Sequence, residues 1–410
     1  MSHHSTYQPS TGFTRWLDSR LPILRFVDDT LTTFPTPKNL NYWWVFGGIL
    51  AVCLALQIVT GIIMAMHYAP NTLVAFDTIE KFVRDGNFGW LMRYMHAVGA
   101  TMFFFAVYIH MGRGLYYGSY MAPREILWII GVLIFLAMMA TAFMGYSLVW
   151  GNMSLWAVTV ITNFFQSLDT IYQGLGTTLV EWIRGDFSVS NVSLNRLYSL
   201  HYLVPFIIVG LVVLHVWALH VPGNNNPSGV EVQNPETETL PFHPYYTVKD
   251  GYAIAAFLIL FAFILFWLPN YFSHPDNYVT ADPLSTPAHI TPEWYFLAFY
   301  ALLKAVPSQL GGVVAMFASI IVLFFVPWLD TSPVKSGKHR SFIFKLAFWM
   351  LIFSFLALSY LGAKSPEGWY VWLSRVFMGY YFAYFLLLLP LMGLFQKTSQ
   401  QPASIEKSVS

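Results

Sequence analysis

Apolar residues gather into eight long blocks, separated by polar connections of unequal length. The blocks run over 42–66, 89–112, 125–148, 197–219, 252–269, 313–329, 342–361 and 371–395. Each approaches or reaches the roughly 20 residues a helix needs to cross the hydrocarbon core, so the pattern predicts an all-α, polytopic membrane protein with eight spans. Two connections, 149–196 and 270–312, are long, partly amphipathic and rich in Trp, Tyr and Phe, residues that favour the membrane–water interface. Both are expected along one membrane face. The chain divides into an N-terminal segment 1–41, a four-helix bundle 42–220, a connecting loop 221–251, a membrane region 252–396 that includes the loop 270–312, and a tail 397–410.

Composition agrees. The 410 residues are 56% hydrophobic and only 10% charged, against about 25% charged in a soluble domain. A net charge of +1 gives no reason to expect nucleic acid as a partner. The single cysteine, Cys53, excludes a disulfide framework, an all-cysteine iron–sulfur cluster and covalent c-type heme attachment within this chain. The polar first 40 residues lack an apolar stretch, so no cleaved targeting peptide is expected.

Basic residues set the orientation. Arg15, Arg20, Arg25, Lys38, Arg113, Arg124, Lys249, Lys335, Lys338, Arg340, Lys345, Lys397 and Lys407 fall on one side, 13 of the 21 Lys and Arg. Both termini are therefore expected in the cytoplasm, and the two long connections on the opposite side.

The chemistry begins with histidines inside spans, where an ionisable or ligating residue marks function. The second span holds His96 and His110, and the fourth holds His201 and His215. Both intervals are 14 residues. On a helix that is about 40° short of four turns and a rise of roughly 21 Å, so each helix offers two imidazoles on one face at two depths. Both helices enter from the non-cytoplasmic side, which pairs His96 with His201 and His110 with His215. Octahedral iron in a planar tetrapyrrole needs an axial nitrogen from each face, and two such pairs supply two hemes. A hydrogen bond to a neighbouring helix explains one membrane histidine; it does not explain a repeated interval.

Glycines repeat the interval. Gly47 and Gly61 in the first span, and Gly131 and Gly145 in the third, are each 14 apart. Lacking a side chain, they are expected to let a flat macrocycle approach the backbone. Small-residue helix packing accounts for glycine pairs in general, but not for their match to the histidine spacing. Arg93 and Arg113, each within a turn of a histidine, are candidates to pair with heme propionates.

The chain carries the motifs Arg93-Tyr-Met-His96, His110-Met-Gly-Arg113-Gly-Leu-Tyr-Tyr-Gly-Ser119-Tyr120, Thr141-Ala-Phe143-Met-Gly-Tyr146, Ser199-Leu-His201-Tyr-Leu-Val-Pro-Phe206, Pro241-Phe-His-Pro-Tyr-Tyr-Thr-Val-Lys249-Asp250 and Pro292-Glu293-Trp-Tyr295, and the resemblance that rests on them covers nearly the whole chain. They resemble the cytochrome b subunit of the cytochrome bc complex (quinol:cytochrome c oxidoreductase, complex III). The opening Pro35-Thr-Pro-Lys-Asn39 is similar to proteobacterial members.

That resemblance implies two non-covalent b-type hemes, a low-potential one on His96 and His201 and a high-potential one on His110 and His215. It implies quinol oxidation at an outer site, with one electron passing to a Rieske iron–sulfur protein and a membrane-anchored c-type cytochrome. The other crosses both hemes to reduce quinone at an inner site, building a proton-motive force. The implied complex is a homodimer in the cell inner membrane. Glu293 is the expected outer proton acceptor, with Phe143, Tyr146, Ala157, Pro292, Tyr295 and Tyr300 around it. His220, Lys249 and Asp250 are expected to bracket the inner quinone, and Ser119 and Asn224 join the implied cofactor-binding set.

Two stretches depart from the family. Val149-Trp-Gly-Asn152-Met-Ser154 stands where Pro-Trp-Gly-Gln-Met-Ser is usual, and Trp156-Ala157-Val158-Thr159 where Trp-Gly-Ala-Thr is usual. Loss of the proline frees a backbone dihedral, and Ala157 adds a methyl group. Methoxyacrylate-type inhibitors are accordingly expected to bind poorly while quinol still turns over. Two other classes fit less well. A secondary transporter calls for broken helices and no chromophore, and a chlorophyll protein needs one histidine per pigment.

Overall fold

The computed structural model describes residues 7–395 and 401–409. Lys397, counted above among the basic residues, lies outside them. Among the described residues, eight helices are long and apolar enough to cross a membrane: Tyr42–Ala65, Gly89–Tyr117, Glu125–Leu148, Asn191–His220, Phe242–Trp267, Gln309–Leu329, Phe342–Gly362 and Gly368–Phe395. They are numbered here in that order.

Several helices outrun their apolar blocks, for local reasons. The first keeps its expected start, opening as a 3-10 turn whose N-cap, Asn41, accepts the Trp43 amide at 3.1 Å. The fourth begins at Asn191, six residues before its block, because Ser190 and Ser193 form a capping box that starts a polar turn. The fifth begins at Phe242 with a break at His243, so residues 244–251 are helix rather than connecting loop. Among the described residues, one two-stranded sheet interrupts the all-α plan. Pro35–Pro37 pairs antiparallel with Thr239–Pro241, and Thr36 faces Leu240.

The first span packs along the second, and the third along the fourth. Ile49, Cys53, Val98, Met102, Phe104, Phe135, Met138 and Ile208 join these helices in one core with Phe257 and Phe261 of the fifth. A second core links the ends of the second and third spans to the last three, through Trp128, Val326, Phe344, Phe348 and Tyr384.

The two long connections meet. The Asn152 amide donates to the Val279 carbonyl at 2.8 Å, the Ala281 amide to Trp150 at 3.1 Å, and the Ser154 hydroxyl to Asn277 Oδ1 at 2.7 Å. These bonds hold Trp150 at a φ of 54°, a left-handed conformation uncommon outside glycine. After the turn Trp294–Phe296 comes a short helix, Leu297–Ala305, which packs on the seventh and eighth spans. At the other end of the bundle, Glu231 accepts from Arg124 at 2.8 and 2.9 Å and from Lys335 at 2.6 Å. Asp330 there accepts from Tyr120 at 2.5 Å and Arg340 at 2.7 Å.

Candidate functional site

The second and fourth spans bring their four histidines into two pairs. The ring centres of His96 and His201 are 6.2 Å apart, and those of His110 and His215 are 6.4 Å apart. Two imidazoles that share one metal ion, each through a nitrogen bond of about 2.0–2.1 Å, have ring centres roughly 6 Å apart. Both gaps therefore fit an axially ligated iron.

The second ring nitrogen is held by the protein in three of the four. His96 Nδ1 lies 2.9 Å from Thr60 Oγ1, His201 Nδ1 2.9 Å from the Thr141 carbonyl, and His110 Nδ1 3.2 Å from an Arg113 guanidinium nitrogen. The Thr141 carbonyl takes only a donated proton, so His201 carries hydrogen on Nδ1 and offers a bare Nε2. That is the arrangement by which a neighbouring group orients a metal-binding imidazole.

Each glycine of the repeat sits against one of these rings. A Cβ on Gly47 would lie 3.7 Å from His110 Cε1, on Gly61 3.2 Å from His96 Cε1, and on Gly131 3.1 Å from His215 Cε1. On Gly145 it would collide with His201. The clearance expected for the macrocycle is thus, in the first place, clearance for these imidazoles.

Around the His110 pair, Arg113 Nε, Ser119 Oγ and Trp44 Nε1 are buried without a hydrogen-bond partner among the described residues, and the Arg113 guanidinium lies 5.2 Å from the Trp44 ring centre. Buried donors without partners are rare in folded proteins. Together they suit the carboxylates of a heme edge. Trp44 was not singled out from the sequence; a tryptophan at the head of an apolar span reads as an interface anchor, and only burial exposes its idle N–H.

The His96 pair opens into a cavity of about 580 Å³. Its wall includes Gly61, Gly145, Arg93, Tyr146, Val149, Glu293 and Tyr295, so the gap between His96 and His201 shares one space with residues expected at the outer site. Burial pushes the Glu293 carboxyl up to about 7, with Arg93 pulling the other way. Tyr295 is fixed from the histidine-bearing second span. Its ring stacks on Phe104 at 4.1 Å and 7°, and its carbonyl accepts the Tyr108 hydroxyl at 2.5 Å.

Four expected outer-site residues stand off this wall. Phe143 is one step, about 100° of helix rotation, from the lining residue Ala142. Ala157 lies partly buried on the helix Asn152–Asn163 beneath the second long connection. Pro292 holds the approach to Glu293, and Tyr300 turns away to donate to the Ile290 carbonyl at 3.2 Å.

The residues expected at the inner site are not joined to one another by hydrogen bonds or ion pairs among the described residues. His220 is engaged twice: Nδ1 lies 2.7 Å from the Val216 carbonyl and Nε2 3.1 Å from the Thr30 carbonyl, with Phe34 packed on the ring at 4.3 Å. The Lys249 ammonium donates to the Leu40 carbonyl at 2.5 Å and lies 5.0 Å from the Tyr42 ring centre. Asp250 faces Gly48, where a Cβ would stand 3.8 Å from its carboxylate. Asn224 is half-buried on the loop just past His220.

The family described as Cytochrome b/b6/petB matches residues 31–223, and that described as Cytochrome b(C-terminal)/b6/petD matches residues 280–382. Cytochrome b of Rickettsia bellii is 55% identical over 97% of this chain and 98% of its own length. Cytochrome b/c1 of Bradyrhizobium diazoefficiens is 52% identical over 100% of this chain, which spans 59% of that longer protein. A solved structure described as a hyperthermophilic respiratory Complex III superposes with a TM-score of 0.88 at 36% identity, over 93% of this chain and 98% of its own.

Proposed function

This chain belongs to the cytochrome b family, and on that premise we propose that it is the two-heme, two-quinone subunit of a quinol:cytochrome c oxidoreductase. The observation that carries the reading is the pair of histidine gaps, 6.2 and 6.4 Å between ring centres, with the first opening into the same cavity as Glu293.

When bound, the two b hemes supply a one-electron path across the membrane. The chain's own residues do the rest. His96 and His201 would hold the low-potential heme, and His110 and His215 the high-potential one. Arg113, Ser119 and Trp44 would donate to the carboxylates of the heme at the His110 pair. Glu293 takes a proton from quinol as it is oxidised at the outer site, and its raised affinity for protons suits a base working near neutrality. Tyr146 and Tyr295 confine the quinol ring beside it. His220, Lys249 and Asp250 bind quinone and deliver protons at the inner site, where His220 must first release the Thr30 carbonyl.

The other electron of quinol leaves through a Rieske iron–sulfur protein and a membrane-anchored c-type cytochrome, since this chain has no cysteine set for either centre. The complex is a homodimer in the inner membrane with both termini of this chain cytoplasmic, and it builds a proton-motive force.

A redox titration of the dithionite-reduced minus oxidised spectrum tests the reading, on the native complex and on His96→Leu and His110→Leu variants. Two b-type components with different potentials are expected, one lost in each variant. A spectrum without heme, or variants that leave it unchanged, would overturn it.

A further inference from the structure

The short helix Leu297–Ala305 carries no residue that touches the outer cavity, yet its last turn is the meeting point of two cations. The Lys304 ammonium donates to the Gly362 and Lys364 carbonyls, both at 2.7 Å. The first is an orphan acceptor at the end of the seventh span and the second lies two residues past it, where the helix dipole is negative and a cation is stabilised. Arg375 of the eighth span donates through Nε to the Ala305 carbonyl at 2.8 Å, capping the short helix in turn. Backbone meets backbone nearby: a Cβ on Gly362 would collide with the Leu297 carbonyl. The short helix is thereby fixed to the ends of two spans that hold no histidine ligand.

Lys304 has a second face. Its ammonium lies 4.4 Å from the centre of the Tyr300 ring, a cation–π distance. The Tyr300 hydroxyl in turn holds the Ile290 carbonyl at 3.2 Å, three residues before Glu293. The cavity beside Lys304 measures only about 10 Å³, the lower limit for one water molecule. Lys304 therefore serves its protein neighbours and leaves no room for a ligand. Burial brings its ammonium down to about 8, so the cation stands in this place against a desolvation cost.

We propose that Lys304 is a positioning residue for quinol oxidation: anchored on the carbonyl end of the seventh span, it fixes the Tyr300 ring and, through the Tyr300–Ile290 bond, the backbone that presents Glu293. The inference rests on the assignment of Glu293 to the outer quinol site. Its own content is that a cation outside that site sets the geometry inside it. Tyr108, Phe104 and Lys304 then hold opposite ends of one segment, the first two at Tyr295 and the third at Tyr300.

The test uses the assembled complex in its membrane, with Lys304→Met, Lys304→Arg, Tyr300→Leu, the Lys304→Met/Tyr300→Leu double variant, and Glu293→Gln as the reference for the underlying assignment. Quinol-dependent cytochrome c reduction is measured across pH for kcat and KM, and the two b-heme signals are recorded to score assembly. Lys304→Met is expected to keep both heme signals, to lose about tenfold in kcat/KM, and to displace the pH profile that Glu293→Gln removes. Lys304→Arg should restore most of the rate and the native profile, and the double variant should lose little more than the worse single variant. Native kinetics in Lys304→Met beside an impaired Glu293→Gln would overturn the proposal and leave the site assignment standing. Losses in the two single variants that multiply would also overturn it. So would a Lys304→Met complex whose rate per assembled heme and pH profile are native, since Lys304 would then serve only stability. A Glu293→Gln complex with native kinetics would instead remove the assignment on which the proposal rests.

Discussion

The Tyr108 hydroxyl donates to the Tyr295 carbonyl at 2.5 Å, so the helix that carries His96 and His110 also holds the segment that carries Glu293. Tyr108 lies two residues before His110, and Phe104, which stacks on the Tyr295 ring, lies one turn earlier. One rigid element thus sets the outer cavity against both histidine gaps. Replacing Tyr108 by Phe leaves a buried carbonyl without its donor, at a cost of about 1–3 kcal/mol. The expected outcome is slower quinol oxidation with both b-heme signals retained, read by steady-state kinetics beside a reduced-minus-oxidised spectrum.

The four glycines do not tolerate a methyl group equally. Gly47→Ala meets His110 at ordinary contact distance, 3.7 Å, and should keep both hemes. Gly61→Ala and Gly131→Ala, at 3.2 and 3.1 Å, require the ring to give by a few tenths of an ångström. Gly145→Ala drives a methyl into His201 and should abolish or strongly shift the low-potential component alone. Redox difference spectra of the four variants check the ranking; equal effects at Gly47 and Gly145 would contradict it.

A carboxyl held near 7 accepts a proton only once it is ionised, so quinol oxidation should fall as pH drops through about 7. Glu293→Gln should lower the rate and remove that limb of the profile. Arg93 opposes the upward shift, so Arg93→Gln should move the limb to higher pH. Rates measured between pH 5 and 9 on the three proteins decide it.

The Glu231 carboxyl is shifted in the opposite direction. Arg124 and Lys335 bring its carboxyl down to about 2 despite burial. Because the folded value lies below the unfolded one, its stabilisation is complete above about 4.5 and is lost as pH falls toward 2. At neutral pH, Glu231→Gln leaves the Arg124 guanidinium, 2% exposed, without its carboxylate. A Tm lower by several degrees is expected, with the gap from the native protein closing in acid.

Ala157 was expected to weaken methoxyacrylate-type inhibitors by filling space at the pocket edge. It stands off the cavity wall, whereas Val149, in the place of the usual proline, lines it. Any loss of potency should therefore trace more to Val149→Pro than to Ala157→Gly. Titrating such an inhibitor against both variants separates them, and equal, potent inhibition of native and variant complexes would remove the idea.

The sequence by itself determined the eight spans and the histidine and glycine intervals, because hydropathy and helical periodicity are local properties that each residue carries wherever its helix ends up. Span ends were less legible: the polar turn at Asn191 and the helix from Phe242 are set by capping and by a backbone break, not by apolar content. Only the tertiary structure decided what each repeated residue meets. Gly145 touches His201, 56 positions away; Trp44 and Arg113 share a buried corner; and Lys304 reaches the end of the seventh span. Phe143 and Tyr300 turn off the cavity for the same reason, since the face a side chain presents is fixed by its packing partners. Periodicity gives the phase of a helix; contact between distant helices gives that phase its meaning.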